Sequence, residues 1–332
     1  MRIHLNQKIC RNMMMLLAIW LMSIQTLWAQ SLSLQDLKET CDFTKGTISY
    51  TLPTEKLPEI STFTWKVKVG DKDVPADAVK VSADTRTLTV NLSQETRTVE
   101  VYTDANQSTP TFSFNIEPKV YGNEYNDVKF YADTYDGGDG TKDNPIKINT
   151  DLQLAKLARE VTNGTFGSQY VQLSSDIDLS KGIWMPIGTW NTATQNFFSG
   201  KFNGDGHAIK NMLIQWTNIS GKEASWGLFS RLKGNGTNEA GYASVTNLLI
   251  ENACIEKKKD YVPDGTSVIK LGILAADMTQ NAEIGNIIIR NSKVTDNGEA
   301  YKTSNKYRVG GVVGYLNNNV SLRIYNISAN TE

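Results

Sequence analysis

Val245-Thr246-Asn247-Leu248-Leu249-Ile250 and Ile284-Gly285-Asn286-Ile287-Ile288-Ile289 repeat one phrase, and an earlier copy reads Ile209-Lys210-Asn211-Met212-Leu213-Ile214. Each has an aliphatic residue, a gap, an asparagine and three apolar residues; the asparagines stand 36 and 39 residues apart (211 to 247, 247 to 286). A glycine phrase travels with it: Gly227-Leu228-Phe229, Gly272-Ile273-Leu274 and Gly311-Val312-Val313. A unit recurring every 20 to 50 residues or so cannot bury its apolar face alone and must stack on its neighbours, which defines a solenoid. The phrases are short, rich in Val and Ile, and bounded by Gly, Asn, Asp and Ser, the punctuation of strands. A third piece, Asn252-Ala253-Cys254-Ile255 and Asn291-Ser292-Lys293-Val294, brings the expected strands to three per unit. This half therefore reads as a parallel β-helix, with Ile214, Ile250 and Ile289 inside at equivalent places. Its asparagines are expected to bond one another along the axis, as stacked identical side chains do.

The 332-residue chain opens with Arg2, Lys8 and Arg11, an apolar run from Met13 to Ile24, and Leu27-Trp28-Ala29, the pattern of an export signal over residues 1–29. The run is short for a membrane span and no second one follows, so no membrane insertion is expected after cleavage. Removing that segment's three cations from the 34 Lys+Arg leaves 31 against 35 Asp+Glu. Such a balance argues against nucleic acid or an anionic membrane as partner. Cys41 and Cys254 remain, in different expected domains. Cys254 occupies an apolar slot of the repeat and reads as a buried, unpaired thiol.

Residues 30–118 alternate with period 2. Phe63, Trp65, Val67 and Val69 share a face, and the signal recurs in Leu88-Val90-Leu92, Val99-Val101 and Phe112-Phe114-Ile116. Short one-sided strands separated by Gly, Asp, Ser and Asn turns imply an antiparallel β-sandwich of immunoglobulin-like architecture, without the Cys and Trp spacing of antibody domains. A tyrosine-rich connection spans 119–135, and the β-helix is expected over 136–332. Before its first turns an amphipathic segment from Thr150 to Asn163 carries Leu154, Leu157, Ala158 and Val161 on one face. Thr150 or Asp151 is placed to cap it, and the helix reads as a short lid over the first coil.

Asp139-Gly140-Thr141, Asn144-Pro145-Ile146, Asp176-Ile177-Asp178-Leu179, Trp184-Met185-Pro186-Ile187-Gly188 and Phe198-Ser199-Gly200-Lys201-Phe202-Asn203-Gly204, running on to Asn211, together resemble the opening of the GLUG-motif β-helix proteins. These are exported or surface proteins of Bacteroidetes type. Gly310-Gly311-Val312-Val313-Gly314-Tyr315-Leu316 is similar to the GLUG repeat itself. The resemblance covers about 136–332. It implies a pectin-lyase-like right-handed β-helix and an adhesin role, in contact with glycan rather than in a settled enzyme activity. Ser230 and Ala275 depart from it by replacing the repeat's second glycine. The last copy, around Val320 to Asn326, reads as out of register, with no closing cap legible before Glu332.

Candidate chemistry is sparse. His207, in Gly204-Asp205-Gly206-His207, lacks the carboxylate pairs that glycoside hydrolysis needs and reads as a turn residue. Asp136, Asp139 and Asp143 sit in a glycine-rich loop whose spacing fits a metal-free turn better than a calcium site. No metal and no cofactor are expected. Trp190 and Trp216, in polar surroundings, are the two candidate ligand-binding residues, since exposed aromatic faces stack on sugars or anchor protein partners. No catalytic residue is assigned. The resulting expectation is an exported protein, at the cell surface, outer membrane-associated or extracellular. It presents a β-helix to a host or microbial glycan or surface protein and associates end to end through an uncovered last coil. The alternative is a polysaccharide lyase or glycoside hydrolase on the same scaffold.

Overall fold

The computed structural model describes residues 32–42, 47–57, 60–74, 79–91, 96–104, 106–125, 128–190, 195–216, 223–236, 241–257, 268–296, 306–316 and 321–331. The expected export signal, 1–29, lies outside them, as does most of the two polar inserts after Glu256 and Asp296. The described chain is mostly strand, with one α-helix, and divides into two compact units at Pro118 and Lys119.

The first unit holds two four-stranded antiparallel sheets. One runs Lys38–Asp42, Thr47–Thr51, Thr87–Asn91, Val79–Val81; the other runs Lys72–Asp73, Thr64–Val69, Arg97–Tyr102, Phe112–Ile116. Alternation decides the faces: Phe63, Trp65 and Val67 are buried while Thr64 and Lys66 are exposed, and Val69, at the strand end, is only partly covered. Ile48, Tyr50, Leu88, Val90, Val99, Val101 and Phe114 are buried with them, and the Tyr50 and Phe114 rings meet at 5.7 Å. The polar faces are tied across strands, Ser49 to Thr89 at 2.8 Å and Lys68 to Glu100 at 2.7 Å.

The second unit is a pile of parallel strands. One column runs through six levels in register: Ile146, Val171, Phe202, Val245, Ile284 and Ile324. A second runs Ile177, Ile209, Ile250 and Ile289, and a third runs Ile214, Ile255 and Val294. Ile214, Ile250 and Ile289 are all inside, at most 1% exposed. Burying one such side chain contributes about 1.5–3 kcal/mol, and shared register delivers it at every level. The number of strands varies from turn to turn: Ala243–Glu251, Cys254–Lys257, Val268–Gly272 and Ala275–Thr279 make four, whereas Ala282–Asp296, Lys306–Gly310 and Val313–Leu316 make the expected three.

The corners explain the repeat and correct its alignment. Asn211, Asn247, Asn252, Asn286, Asn291 and Asn326 all have φ between 50° and 63°, a left-handed conformation that asparagine tolerates better than most side chains. Their amides form two ladders. Asn247 donates to Asn203 at 2.9 Å, Asn286 to Asn247 at 2.7 Å and Asn326 to Asn286 at 2.8 Å. Separately, Asn211 donates to Asp178 at 2.9 Å and Asn252 to Asn211 at 3.2 Å. The phrase at 209–214 therefore stacks on 250–255, not on 245–250, so Ile214 and Ile250 belong to different columns. Two successive corners use the same wording, and sequence spacing alone cannot tell them apart. The last copy is in register after all, with Ile324 on Ile284 and Ile327 on Ile287. In the glycine phrase Gly310, not Gly311, pairs with Gly272.

The helix α1 (Asp151–Thr162) starts as expected, the Thr150 hydroxyl accepting from the Gln153 amide at 3.2 Å, and ends at Asn163 before Gly164. Leu154, Leu157, Ala158 and Val161 join the core cluster containing Ile146, Val171 and Trp184. Residues 119–135 are more than a connection. Tyr121 is fully buried and stacks near Trp184, Arg159 of α1 lies 4.5 Å from the Tyr131 ring and donates to Gly122 O, and Tyr135 is bonded to Glu160. The tyrosines that read as linker are the inner and outer facing of α1. In the last turn Val309, Leu316, Ile324 and Tyr325 are exposed.

Asn286→Ala removes two amide bonds and leaves a β-carbon without Asn's tolerance for positive φ. It is expected to cost about 2 kcal/mol or more, whereas Asn286→Gly, which keeps the backbone at ease, should cost about half as much. Ile250→Asp places an unpaired charge in the core and should cost several kcal/mol. Denaturant melts decide; an Asn286→Ala protein as stable as the parent rules out the ladder as a structural element.

Candidate functional site

Neither candidate tryptophan can be placed as a ligand platform. Trp190 ends the strand Thr189–Trp190 and Trp216 ends Leu213–Trp216, but both side chains lie outside the described residues. Cys254 sits between buried Ala253 and Ile255 yet is itself of intermediate exposure, so the expected buried thiol is corrected. It opens a strand paired on both sides, with Leu213 and Lys293 opposite it, and alternation turns it away from the core that Ile255 faces.

His207 lies in its expected turn, bonded through its backbone N–H to Gly204 O, with Nδ1 3.4 Å from Asp176. Asp176 also takes Lys210 at 2.8 Å and the Ala208 amide at 3.0 Å. Lys210 first, then that amide, hold its carboxyl below the ordinary aspartate range. These groups clamp neighbouring turns together. In the glycine-rich loop Asp139 accepts from the Thr141 amide and hydroxyl at 2.9 and 2.7 Å, and Asp136 accepts from Asn149 at 2.9 Å. Both carboxylates serve the turn. Among the described residues no three His, Cys, Asp or Glu converge as a metal cage.

The site that sequence reasoning missed lies on the outer wall. Ile269 and Leu271 point into the core, so Lys270 between them points out; the same holds for Asp277 beside Met278. Such positions are ordinarily solvated. Here Lys270 is 5% exposed, Asp277 1% and Arg231 8%. Lys270 Nζ donates to Asp277 Oδ2 at 2.6 Å, and Arg231 donates to the same oxygen from Nε at 3.1 Å and from its terminal nitrogen at 2.7 Å.

The glycine phrase causes this. Gly272 separates the strand of Lys270 from that of Asp277, and a β-carbon there would lie 2.3 Å from Ala275 O and 2.5 Å from Gly314 N. Gly310 would meet Val313 O just as closely. Only glycine permits so tight a turn. The turn folds the outer faces of two adjoining sheets toward each other and makes a groove of two columns. Ser225, Lys270 and Arg308 stack on one wall; Arg231, Asp277 and Tyr315 stack on the other. The Tyr315 ring joins the walls, with Arg308 3.6 Å and Lys270 5.2 Å from its centre. Asp277 Oδ1 and Ser225 Oγ are buried with no hydrogen-bond partner. The outward parity of these positions was readable in the sequence, but their meeting was not.

No family model and no solved structure matches the chain. Among curated proteins, 208 residues align at 29% identity with Halomucin of Haloquadratum walsbyi (strain DSM 16790 / HBSQ001), covering 58% of this chain. The chain spans about 2% of the length of that relative.

Asp277→Asn leaves Lys270 and Arg231 buried without their carboxylate and should cost about 3–5 kcal/mol, the scale for removing one partner of a buried ion pair. A loss below 1 kcal/mol in a denaturant melt would show that solvent reaches the groove freely. EDTA is expected to leave Tm unchanged, since the Asp136 and Asp139 carboxylates already accept protein donors; a drop of several degrees restored by calcium reverses that reading.

Proposed function

We propose that this is an exported, non-catalytic, adhesin-like protein that presents a right-handed parallel β-helix to a glycan or surface-protein ligand. An immunoglobulin-like sandwich precedes the helix, and α1 serves as its lid. The parallel columns and their αL corners support the β-helix, and the two antiparallel sheets with a common core support the sandwich. The GLUG-type phrases, now aligned as Asn and Gly corners, support kinship with that group of surface proteins. Similarity to Halomucin and the apolar segment before Gln30 support export and a surface setting. The observation that carries the binding role is the outer groove. Three charged side chains are taken almost wholly out of water on the outside of the core, with two buried oxygens unpartnered, an arrangement that packing alone does not call for.

A second reading, a polysaccharide lyase or hydrolase, draws on the convergence of Lys270, Arg231 and Asp277 from neighbouring turns. Asp277 is already committed to both cations and His207 to Asp176, which favours binding over turnover.

Purified chain lacking residues 1–29 is expected to give saturable binding to one glycan class or one surface protein on arrays, without new reducing ends or unsaturated products from acidic and neutral glycans. Turnover abolished by a single Asp or Lys substitution sinks the non-catalytic reading. Protein recovered from the cell exterior should begin at Gln30.

A further inference from the structure

We propose that Lys270 and Asp277 condense into an isopeptide bond between Lys270 Nζ and Asp277 Cγ, a cross-link that the chain makes in itself across the glycine corner. It stands apart from the binding role above and needs no ligand.

Position gives the first reason. Lys270 lies in Val268–Gly272 and Asp277 in Ala275–Thr279, and both strands are paired on each side. Neither backbone can draw back, and the corner at Gly272 turns both side chains into one angle. Lys270 Nζ is 2.6 Å from Asp277 Oδ2, so the carbon it attacks is one bond farther on. An amine and a carboxyl group held in this way react as if at very high concentration.

Dryness gives the second reason. The Lys270 and Asp277 side chains are 7% and 2% exposed, whereas Lys210 and Asp176 keep 36% and 49%, and Lys68 and Glu100 keep 30% and 16%. The centre of the Tyr315 ring lies 5.2 Å from Lys270 Nζ and helps to keep water off it. Two opposite charges in so dry a wall are costly to maintain, and an amide removes both.

The chemistry closes without a further reactant. The Lys270 ammonium passes one proton to Oδ2 along their hydrogen bond, and the lone pair so freed forms the N–Cγ bond. Arg231, which donates to Oδ2 from Nε at 3.1 Å and from its terminal nitrogen at 2.7 Å, steadies the negative charge that develops around Cγ. The nitrogen gives up a second proton, the Cγ–Oδ2 bond breaks, and Oδ2 leaves as water. One ammonium and one carboxylate become one amide and one water, with atoms and charge in balance. Oδ1, buried without a hydrogen-bond partner, becomes the amide oxygen. A neutral carbonyl loses less by going without a partner than a carboxylate oxygen does.

The test is peptide mapping by mass spectrometry of the full chain, purified without denaturant. Trypsin cuts after a lysine with a free Nζ and passes one that is locked in an amide. The map should therefore lack a cut at Lys270 and contain the segment 260–290 one water lighter than its sequence requires. Backbone breaks between Lys270 and Asp277 should release no fragments, because the cross-link holds the two halves together. In Lys270→Arg, which keeps the cation and removes the amine, 260–270 and 271–290 should appear separately at full mass. The same two segments at full mass in the parent protein overturn the proposal and leave Lys270 and Asp277 as an ion pair. A missing water that maps elsewhere, or that persists in Lys270→Arg, overturns it as well.

Discussion

Everything in the second unit depends on where the chain is allowed to turn. At the asparagine corners the backbone enters positive φ and the amide bonds the equivalent amide one level away. The first condition bends the strand without breaking its pairing; the second fixes which residue lies above which. Register follows, and with it the inward columns, because a slip of one residue would turn the inward-facing set to the outer face and bring residues such as Lys210, Gln215, Glu251 and Arg290 inward. The columns contribute most of the stabilising burial, but they do so only because the corners are aligned.

The glycine corner has the opposite consequence for the outer surface. An asparagine corner leaves the outer faces diverging, and their polar residues stay wet or pair along the pile, as Lys210 does with Asp176. The turn at Gly272 brings outer faces together and takes water away from Lys270, Arg231 and Asp277. Desolvating charges is costly and their mutual attraction offsets it only in good geometry, so such a cluster is a weak source of stability and a better indication of use. The same physics ties the groove to the repeat: each added turn lengthens the core and both groove walls by one residue apiece. A scaffold built this way can vary its ligand by changing outward residues while its corners stay constant.

The first unit and α1 show how far local rules carry. Two-residue periodicity was enough to place Phe63, Trp65 and Val67 on the buried face, since a strand's alternate side chains have no choice but opposite sides. The Thr150 cap and the face of Leu154, Leu157, Ala158 and Val161 were legible for the corresponding reason at 3.6-residue spacing. Tyr121, Tyr131 and Tyr135 were not, because aromatics without periodicity look the same whether they cover a helix or cross a gap.

By itself the sequence determined that the chain is all-β, that 209–331 repeats, and that Ile214, Ile250 and Ile289 face inward, because short-range periodicity and turn chemistry act on neighbours along the chain. Which copy lies on which was decided only in three dimensions. Asn211 and Asn252 share a corner although the wording around Asn211 matches Asn247 equally well, and the amide ladder is what distinguishes them. The groove was decided there too. Lys270 and Asp277 each look like ordinary outward residues of separate strands, seven residues apart, and nothing local says that Gly272 between them will close the angle between two sheets. Parity along a strand is a local property; whether two outer faces meet depends on the bend between them.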